Sequence, residues 1–552
     1  MIHKKFITLF LMAAACAVTL AGFNAGTVQA AQAKLDADQT INIIGYDYTS
    51  LDPSVVSEKA SFTAIGNVGE GLFRQTLKNG KTVNVLAGAD KVSVSADKTV
   101  YTFHIRNSKW SDGKPVTAHD YVYSWRRLAD PTVSKGYLGF LDEIGVKGAT
   151  PTGAKPEDLG VRAVDDRTFE VTLKAPNPYF ESALVFKALY PVREDIAKEL
   201  GNQYGLDYKR MAFNGPFIIS DYKRGSKIVY TKNENYWDAQ NIKLKTANAL
   251  IVDEPATYNK MFDSKELDMI LGVGDFIKPL QDRAKAGEID YWRGYDPRAN
   301  YYIFNTKNKV LSNAKVRQAI SLAYDRKTQL NVVWKTNIVA YGNVPQRILV
   351  GKDEYRKVVP EPLRSFKANP KKLLAEGLKE LGLSPDPAKI TLKLLLTKQN
   401  STLSAQAQFI QSQLKKNLGI NISIDFSVDN PSYIRDRSAG NFDICAGSWG
   451  ADYNDAISFF NLFTTGNGNN GGKYSNPKYD ALVAQAKTEM DNQARLKIFK
   501  QLEQILVVQD AAVSPYMYTS IDSFTQKYLK GMYIPQFGSY YDLRNVYVAG
   551  KK

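Results

Sequence analysis

The chain has 552 residues, 44% hydrophobic and 23% charged, which places it among globular rather than disordered chains and leaves room for two or three lobes. Its net charge of +16 points toward nucleic acid or an acidic envelope surface. The lysines are scattered rather than gathered in a run, so a solvated basic surface is the reading and no nucleic-acid partner is expected.

The N-terminus reads as an export leader. Lys4 and Lys5 give a positive start, an apolar stretch runs from Phe6 to Phe23, and Val28-Gln29-Ala30 offers the small-x-small pattern cut by signal peptidase. Cleavage after Ala30 would leave Ala31 as the new N-terminus and a periplasmic protein. An uncleaved anchor is the alternative, as is lipidation at Cys16 after Ala13-Ala14-Ala15. That site lacks the usual Leu three residues earlier, and apolar residues continue past it. Without the leader only Cys445 remains, so no internal disulfide is expected.

Beyond the leader, the first half is rich in half-buried strands. Tyr101, Phe103 and Ile105 alternate with Thr102, His104 and Arg106, and Phe169, Val171 and Leu173 alternate with Glu170, Thr172 and Lys174. The later half mixes in helices. Asn369-Pro370, Asn430-Pro431 and Asn476-Pro477 each place a capping side chain before a proline at the first helical position. Ile390, Leu392 and Leu394 start a strand, Ser401 to Leu418 is a helix stopped by Gly419, and Ile420 to Phe426 alternates as a second strand. So long a crossover requires a parallel pair. From Asp491, the spacing of Leu496, Phe499, Leu502 and Leu506 marks a one-sided helix. The class is α/β with mixed sheets. The 32 tyrosines add large amphipathic contact area with few rotors to freeze, which suits adaptable recognition.

Catalytic signatures are scarce. Of the three histidines only His104 and His119 lie beyond the leader, the first on a strand face and the second in Thr117-Ala118-His119-Asp120 opening a helix; both read as structural. There is no His-Glu-x-x-His, Gly-x-Ser-x-Gly or Cys-x-x-Cys, so zinc, hydrolase and thiol chemistry lack their usual marks, and no cofactor or metal is expected. Gly466-Asn467-Gly468-Asn469-Asn470-Gly471 meets the dinucleotide pattern literally. No strand precedes it, however, no helix starts inside it, and Tyr474 stands where a phosphate loop needs Ser or Thr after Lys473. It reads as a mobile surface loop.

The segment from Lys109-Trp110-Ser111-Asp112-Gly113-Lys114-Pro115 through Ala118-His119-Asp120-Tyr121 to Asp130-Pro131 resembles the family-5 extracellular solute-binding proteins, in particular the oligopeptide-binding proteins of ABC importers. The likeness runs along nearly the whole mature chain. It takes in Leu51-Asp52-Pro53, Gly69-Glu70-Gly71-Leu72, Asn214-Gly215-Pro216-Phe217, Asn233-Glu234-Asn235-Tyr236-Trp237, Val316-Arg317-Gln318-Ala319-Ile320 and Trp449-Gly450-Ala451-Asp452-Tyr453-Asn454. The resemblance implies a three-lobed, hinged, type II-like periplasmic binding protein fold. Lobe one would comprise 31–69, 194–298 and 520–552, lobe two 70–193 and lobe three 299–519, with the ligand between lobes one and three. It implies a non-catalytic, monomeric receptor for short peptides that partners the importer's membrane permease subunits.

The same resemblance assigns site residues. Asp452 would hold the peptide's α-ammonium, the alternative being a cap for a helix near Asn454 or Asp455. Ser448 and Trp449 would flank the first ligand residue and Tyr137 would reach it from lobe two. Arg437 would pair a carboxylate near the peptide's C-terminal end unless it is a solvated helix charge. Tyr516 and Tyr518 would lie on the ligand side of the crossing from lobe three to lobe one. Departures from the family pattern are also visible. Ala446 stands for a second arginine, Arg298 and Gly450 for a cysteine pair, and Ser57 for an acidic ligand contact, with Arg298 a candidate replacement charge. Rival readings are the same fold binding a nickel complex, haem or sugar, and a secreted hydrolase using carboxylates alone.

Overall fold

Two long antiparallel strands carry the architecture of the computed structural model, which describes residues 34–551 apart from Asn79 and Thr336. Ile289–Phe304 and Val513–Gln526 pair with each other and run through the middle of a mixed sheet of eleven strands. At about 3.4 Å per residue the longer one reaches roughly 50 Å, enough to cross from one half of the molecule to the other. On one flank the sheet continues through Met269–Gly272, Thr40–Gly45, Thr246–Ile251, Lys227–Lys232 and Phe217–Lys223. On the other it continues through Ile444–Gly450, Thr391–Leu396 and Asn421–Phe426.

The long ladder is interrupted where it crosses. Tyr295 lies opposite Ser520 and Ala299 opposite Tyr518, so Asp296-Pro297-Arg298 bulges against Thr519. Pro297 has no N–H to give, which suits a residue at a break in pairing. Burial changes at the same place. Trp292 and Arg293 are exposed before the bulge, whereas the stretch from Ala299 to Phe304 is buried throughout. That second half is covered on both faces, the condition under which a strand loses its alternation.

The predicted strand-helix-strand unit is present. Thr391–Leu396 and Asn421–Phe426 pair in parallel, joined by the helix Ser401–Leu418. Asn400 caps its start by accepting from the Leu403 N–H, and Gly419 ends it at φ +81°, a left-handed conformation that costs glycine nothing. Ala407, Ile410, Leu414 and Leu418 form its buried stripe. Asn369 and Asn476 cap the helices that follow them, as expected. At Asn430 the expectation is off by one. Asp429 is the cap, accepting from the Ser432 N–H, and Asn430 is the first helical residue.

A separate four-stranded antiparallel sheet orders Ala89–Val94, Val100–Ile105, Thr168–Thr172 and Val161–Asp165. The helix Ala118–Ala129 packs on it, placing Trp125 5.3 Å and Tyr121 5.7 Å from the Phe169 ring. A reciprocal cap between Thr117 and Asp120 starts that helix. His119 is exposed beside Asp166, and His104 pairs with Asp90 at 2.6 Å on the outer face of its strand. The Gly466–Gly471 segment is a tight loop rather than a loose one. Buried Asn470 bonds to Thr464 O and Tyr474 O, which fixes its shape without opening a helix.

The leader 1–30, its cleavage after Ala30 and Cys16 lie outside the described residues. Among the described residues no helix is long and apolar enough to cross a membrane, and no group of three acidic, His or Cys side chains is placed to hold a metal. Cys445 is free and buried, and burial pushes its thiol up to about 12.

Candidate ligand-binding site

The strand Ile444–Gly450 ends beside the crossing of the two long strands, where the Ala451 N–H donates to Pro297 O at 2.9 Å. Asp452 follows directly. It does not cap the next helix, because Asp455 accepts from the Ile457 N–H and is held in place by two 2.8 Å bonds from Arg495. Asn454 is occupied as well: its side-chain oxygen accepts from the Leu349 N–H, and its backbone N–H donates to Ser182 Oγ at 3.0 Å. The neighbours of Asp452 are thus fixed, and its own carboxylate is left for another task.

That carboxylate is met by one phenol, from the segment that follows the helix Ala118–Ala129. Tyr137 donates to Asp452 Oδ1 at 2.8 Å, and its ring is wedged among Phe62, Phe140 and Phe186. Burial and the repulsion of Glu143 push the Asp452 carboxyl up to about 7, against the Tyr137 bond and the charge of Arg298. Glu143 itself is half-buried, raised by desolvation, and accepts from Tyr453 at 2.6 Å. Tyr453 also stacks on Tyr179 at 5.4 Å. Among the described residues no cation lies within ion-pair distance of Asp452, although a carboxylate so enclosed gains most from one.

Arg298 and Gly450, read from the sequence as standing for a cysteine pair, are directly opposite one another across the strand pair. Ser448 is half-buried and accepts from Arg298 Nη1 at 3.2 Å. Trp449 is half-buried, its Nε1 donating to Ser458 Oγ at 3.3 Å. Nearby, Lys59 reaches Asp296 at 3.4 Å and lies over Tyr540, which stacks on Tyr46. Ser57 is exposed, and the Gly136 backbone packs against Val56 and Ser57, so closely that a Cβ at 136 would come within 2.7 Å of Val56 O.

Arg437 is half-buried, lies over the Tyr433 ring, and its Nε is buried without a hydrogen-bond partner. Burial raises the Tyr301 hydroxyl, and the charges of Arg437 and Arg298 oppose that rise. Tyr516 and Tyr518 are not brought to the group. Tyr516, 3% exposed, stacks on Tyr302 inside the core that covers the helix Ser401–Leu418. Tyr518 is fully buried and donates to Gly342 O and Glu361. Alternation along a strand covered on both faces leaves neither ring a free surface, so these two position the crossing strand rather than touch its surroundings. Glu143 escaped the sequence reading, because Phe140-Leu141-Asp142-Glu143 carries no spacing that separates a buried acid from an exposed one.

The model of the bacterial extracellular solute-binding proteins, family 5, matches residues 84–471. The dipeptide-binding protein DppE of Bacillus subtilis is 32% identical over 484 residues, covering 86% of this chain and 85% of that protein. The periplasmic oligopeptide-binding protein OppA of Salmonella typhimurium is 31% identical over 548 residues, covering 94% and 96%. The solved structure of Listeria monocytogenes OppA bound to peptide superposes with a TM-score of 0.78 at 30% identity, over 94% of this chain and all of that one. With the family match spanning most of its length, and the two long strands and mixed sheets in place, the chain belongs to the family-5 bacterial extracellular solute-binding proteins.

Proposed function

We propose that this protein is the extracytoplasmic receptor of an ABC peptide importer, capturing short peptides by their backbone and free N-terminus. The observation that carries the reading is Asp452: a half-buried carboxylate just past the strand Ile444–Gly450, bonded to a neutral phenol and left without a cation among the described residues. A peptide's α-ammonium supplies the missing charge. Arg437, with a buried nitrogen lacking a partner, is suited to a carboxylate further along the ligand. Ser448 and Trp449 flank the first residue, and Tyr137 orients Asp452 from the opposite side. Roomy, hydrated pockets would leave side chains loosely specified.

Lobe one is 31–69, 194–298 and 520–552, lobe two 70–193 and lobe three 299–519. The bulge at Asp296-Pro297-Arg298 and its partner Thr519 fall at the boundaries between lobes one and three, which supports a hinge there. The receptor works outside the cytoplasm as a monomer, performs no catalysis, and presents its closed form to the permease subunits. The test is calorimetry on the 31–552 chain, unfolded to strip bound ligand and refolded, with tri- to pentapeptide pools free or acetylated at the N-terminus. Binding of the free pool that disappears on acetylation is expected. Heat from neither pool would refute the assignment.

A further inference from the structure

Arg298 is a charge whose placement costs the fold something and returns little within it. It stands at the bulge within its long strand, opposite Gly450, and the glycine is what makes room for it. A Cβ at position 450 would lie 2.9 Å from Arg298 Nη2 and 3.2 Å from its Cζ. Any larger residue there would push the guanidinium aside. What the guanidinium finds in that space is modest: one bond to a neutral oxygen, Ser448 Oγ at 3.2 Å, and the Asp296 carboxylate at 3.9 Å. Asp296 is shared with Lys59 at 3.4 Å, so two cations face one acid and a positive charge is left over. Arg298 offers five N–H donors in a planar fork and remains 39% exposed, so most of that fork is unused among the described residues. Its charge is felt at both Asp452 and the Tyr137 hydroxyl, so it borders the same group, yet no ion pair joins it to Asp452.

We propose that Arg298 is a second ionic anchor of this site, selecting peptides that carry a carboxylate side chain on their first or second residue. The inference rests on the peptide-receptor reading and adds a substrate class to it. A ligand whose ammonium meets Asp452 and whose nearby carboxylate meets Arg298 matches both uncompensated charges at once, and a guanidinium holds a carboxylate through two parallel bonds. An amide of the same shape would leave the guanidinium with only one acceptor of lower charge. A lysine at that place would meet like charge.

The test is calorimetry on ligand-stripped protein with Ala-Glu-Ala, Ala-Gln-Ala, Glu-Ala-Ala and Gln-Ala-Ala, comparing the natural chain with Arg298→Met and Arg298→Lys. At least one glutamate peptide is expected to bind about tenfold or more tightly than its glutamine partner, as charge-assisted pairing implies. Arg298→Met should erase the difference between each glutamate peptide and its glutamine partner, whatever it does to the affinity common to both, and Arg298→Lys should keep part of that difference. Thermal unfolding of each variant verifies that it is folded, and the preference of the natural chain alone keeps the test decisive if one variant is not. Equal binding of glutamate and glutamine peptides by the natural chain, or a preference that survives in Arg298→Met, would overturn the role of Arg298 and leave the receptor reading standing. Binding of none of the four would overturn both.

Discussion

Replacing Asp452 by Asn should weaken ligand binding and strengthen the unliganded fold at once. Removing one partner of a desolvated charge pair costs about 2–5 kcal/mol, so affinity for trialanine should fall roughly 30-fold or more. The natural chain should also show a pH dependence that the variant lacks. Its carboxyl is pushed up to about 7 and must ionise to hold an ammonium, so affinity should drop about tenfold per pH unit below 7 and peak just above it, before the peptide's own α-ammonium loses its proton near pH ~8. The stability effect has the opposite sign. A carboxyl raised from 3.8 to about 7 binds its proton more tightly folded than unfolded. It therefore contributes stability below pH ~4 that is lost as pH rises through about 7. Asn escapes that loss. The full shift sets an upper bound of about 4 kcal/mol, and about 1–2 kcal/mol is expected once water and side-chain relaxation screen the site. Calorimetry from pH 5.5 to about 8.5 and urea unfolding of ligand-stripped protein at pH ~8 read both effects. A variant with unchanged affinity, or one that keeps the same pH slope, would refute the assignment of Asp452 as the ammonium anchor.

Tyr137→Phe removes the hydroxyl that favours ionised Asp452 and should shift the midpoint of the pH–affinity curve upward, with about tenfold weaker binding at pH 7. Arg437→Met should abolish any preference for free-acid over C-terminally amidated tripeptides, measured by competition, while leaving the N-terminal requirement intact. Arg495→Met strands Asp455 in the core without its two bonds and should cost about 3–5 kcal/mol in urea unfolding. Because that pair holds the segment bearing Asp452, peptide affinity should also fall in this variant, and unchanged affinity would show that the pair acts on stability alone.

Elements whose instructions are local were legible. The strand–helix–strand unit could be read because apolar period, capping Asn400 and terminating Gly419 all lie within it. At Asp429-Asn430 two good caps stand side by side, and local pattern has no means to choose. The long strand Ile289–Phe304 could not be read, since Asp290, Arg293, Asp296 and Pro297 break any alternation and both its pairing partners, Ile444–Gly450 and Val513–Gln526, lie far along the chain. The site was legible through family likeness rather than through spacing, because Tyr137 and Asp452 are 315 residues apart. Burial separated Tyr516 and Tyr518 from the rest, and burial on a strand covered on both faces depends on what the remainder of the chain lays over it.

The place of Val513–Gln526 in the sheet sets an order of events for making this protein. It lies between Ile289–Phe304 and Met269–Gly272, so the halves of the sheet share no continuous ladder until nearly the last residues have been synthesised. Gln39 likewise waits for Val548, with which it exchanges two hydrogen bonds. Contacts of such sequence separation form slowly, because the loop must close before they reward it. Completion of the large sheet therefore waits for the end of the chain, whereas the four-stranded sheet, made wholly from residues 89–172, does not.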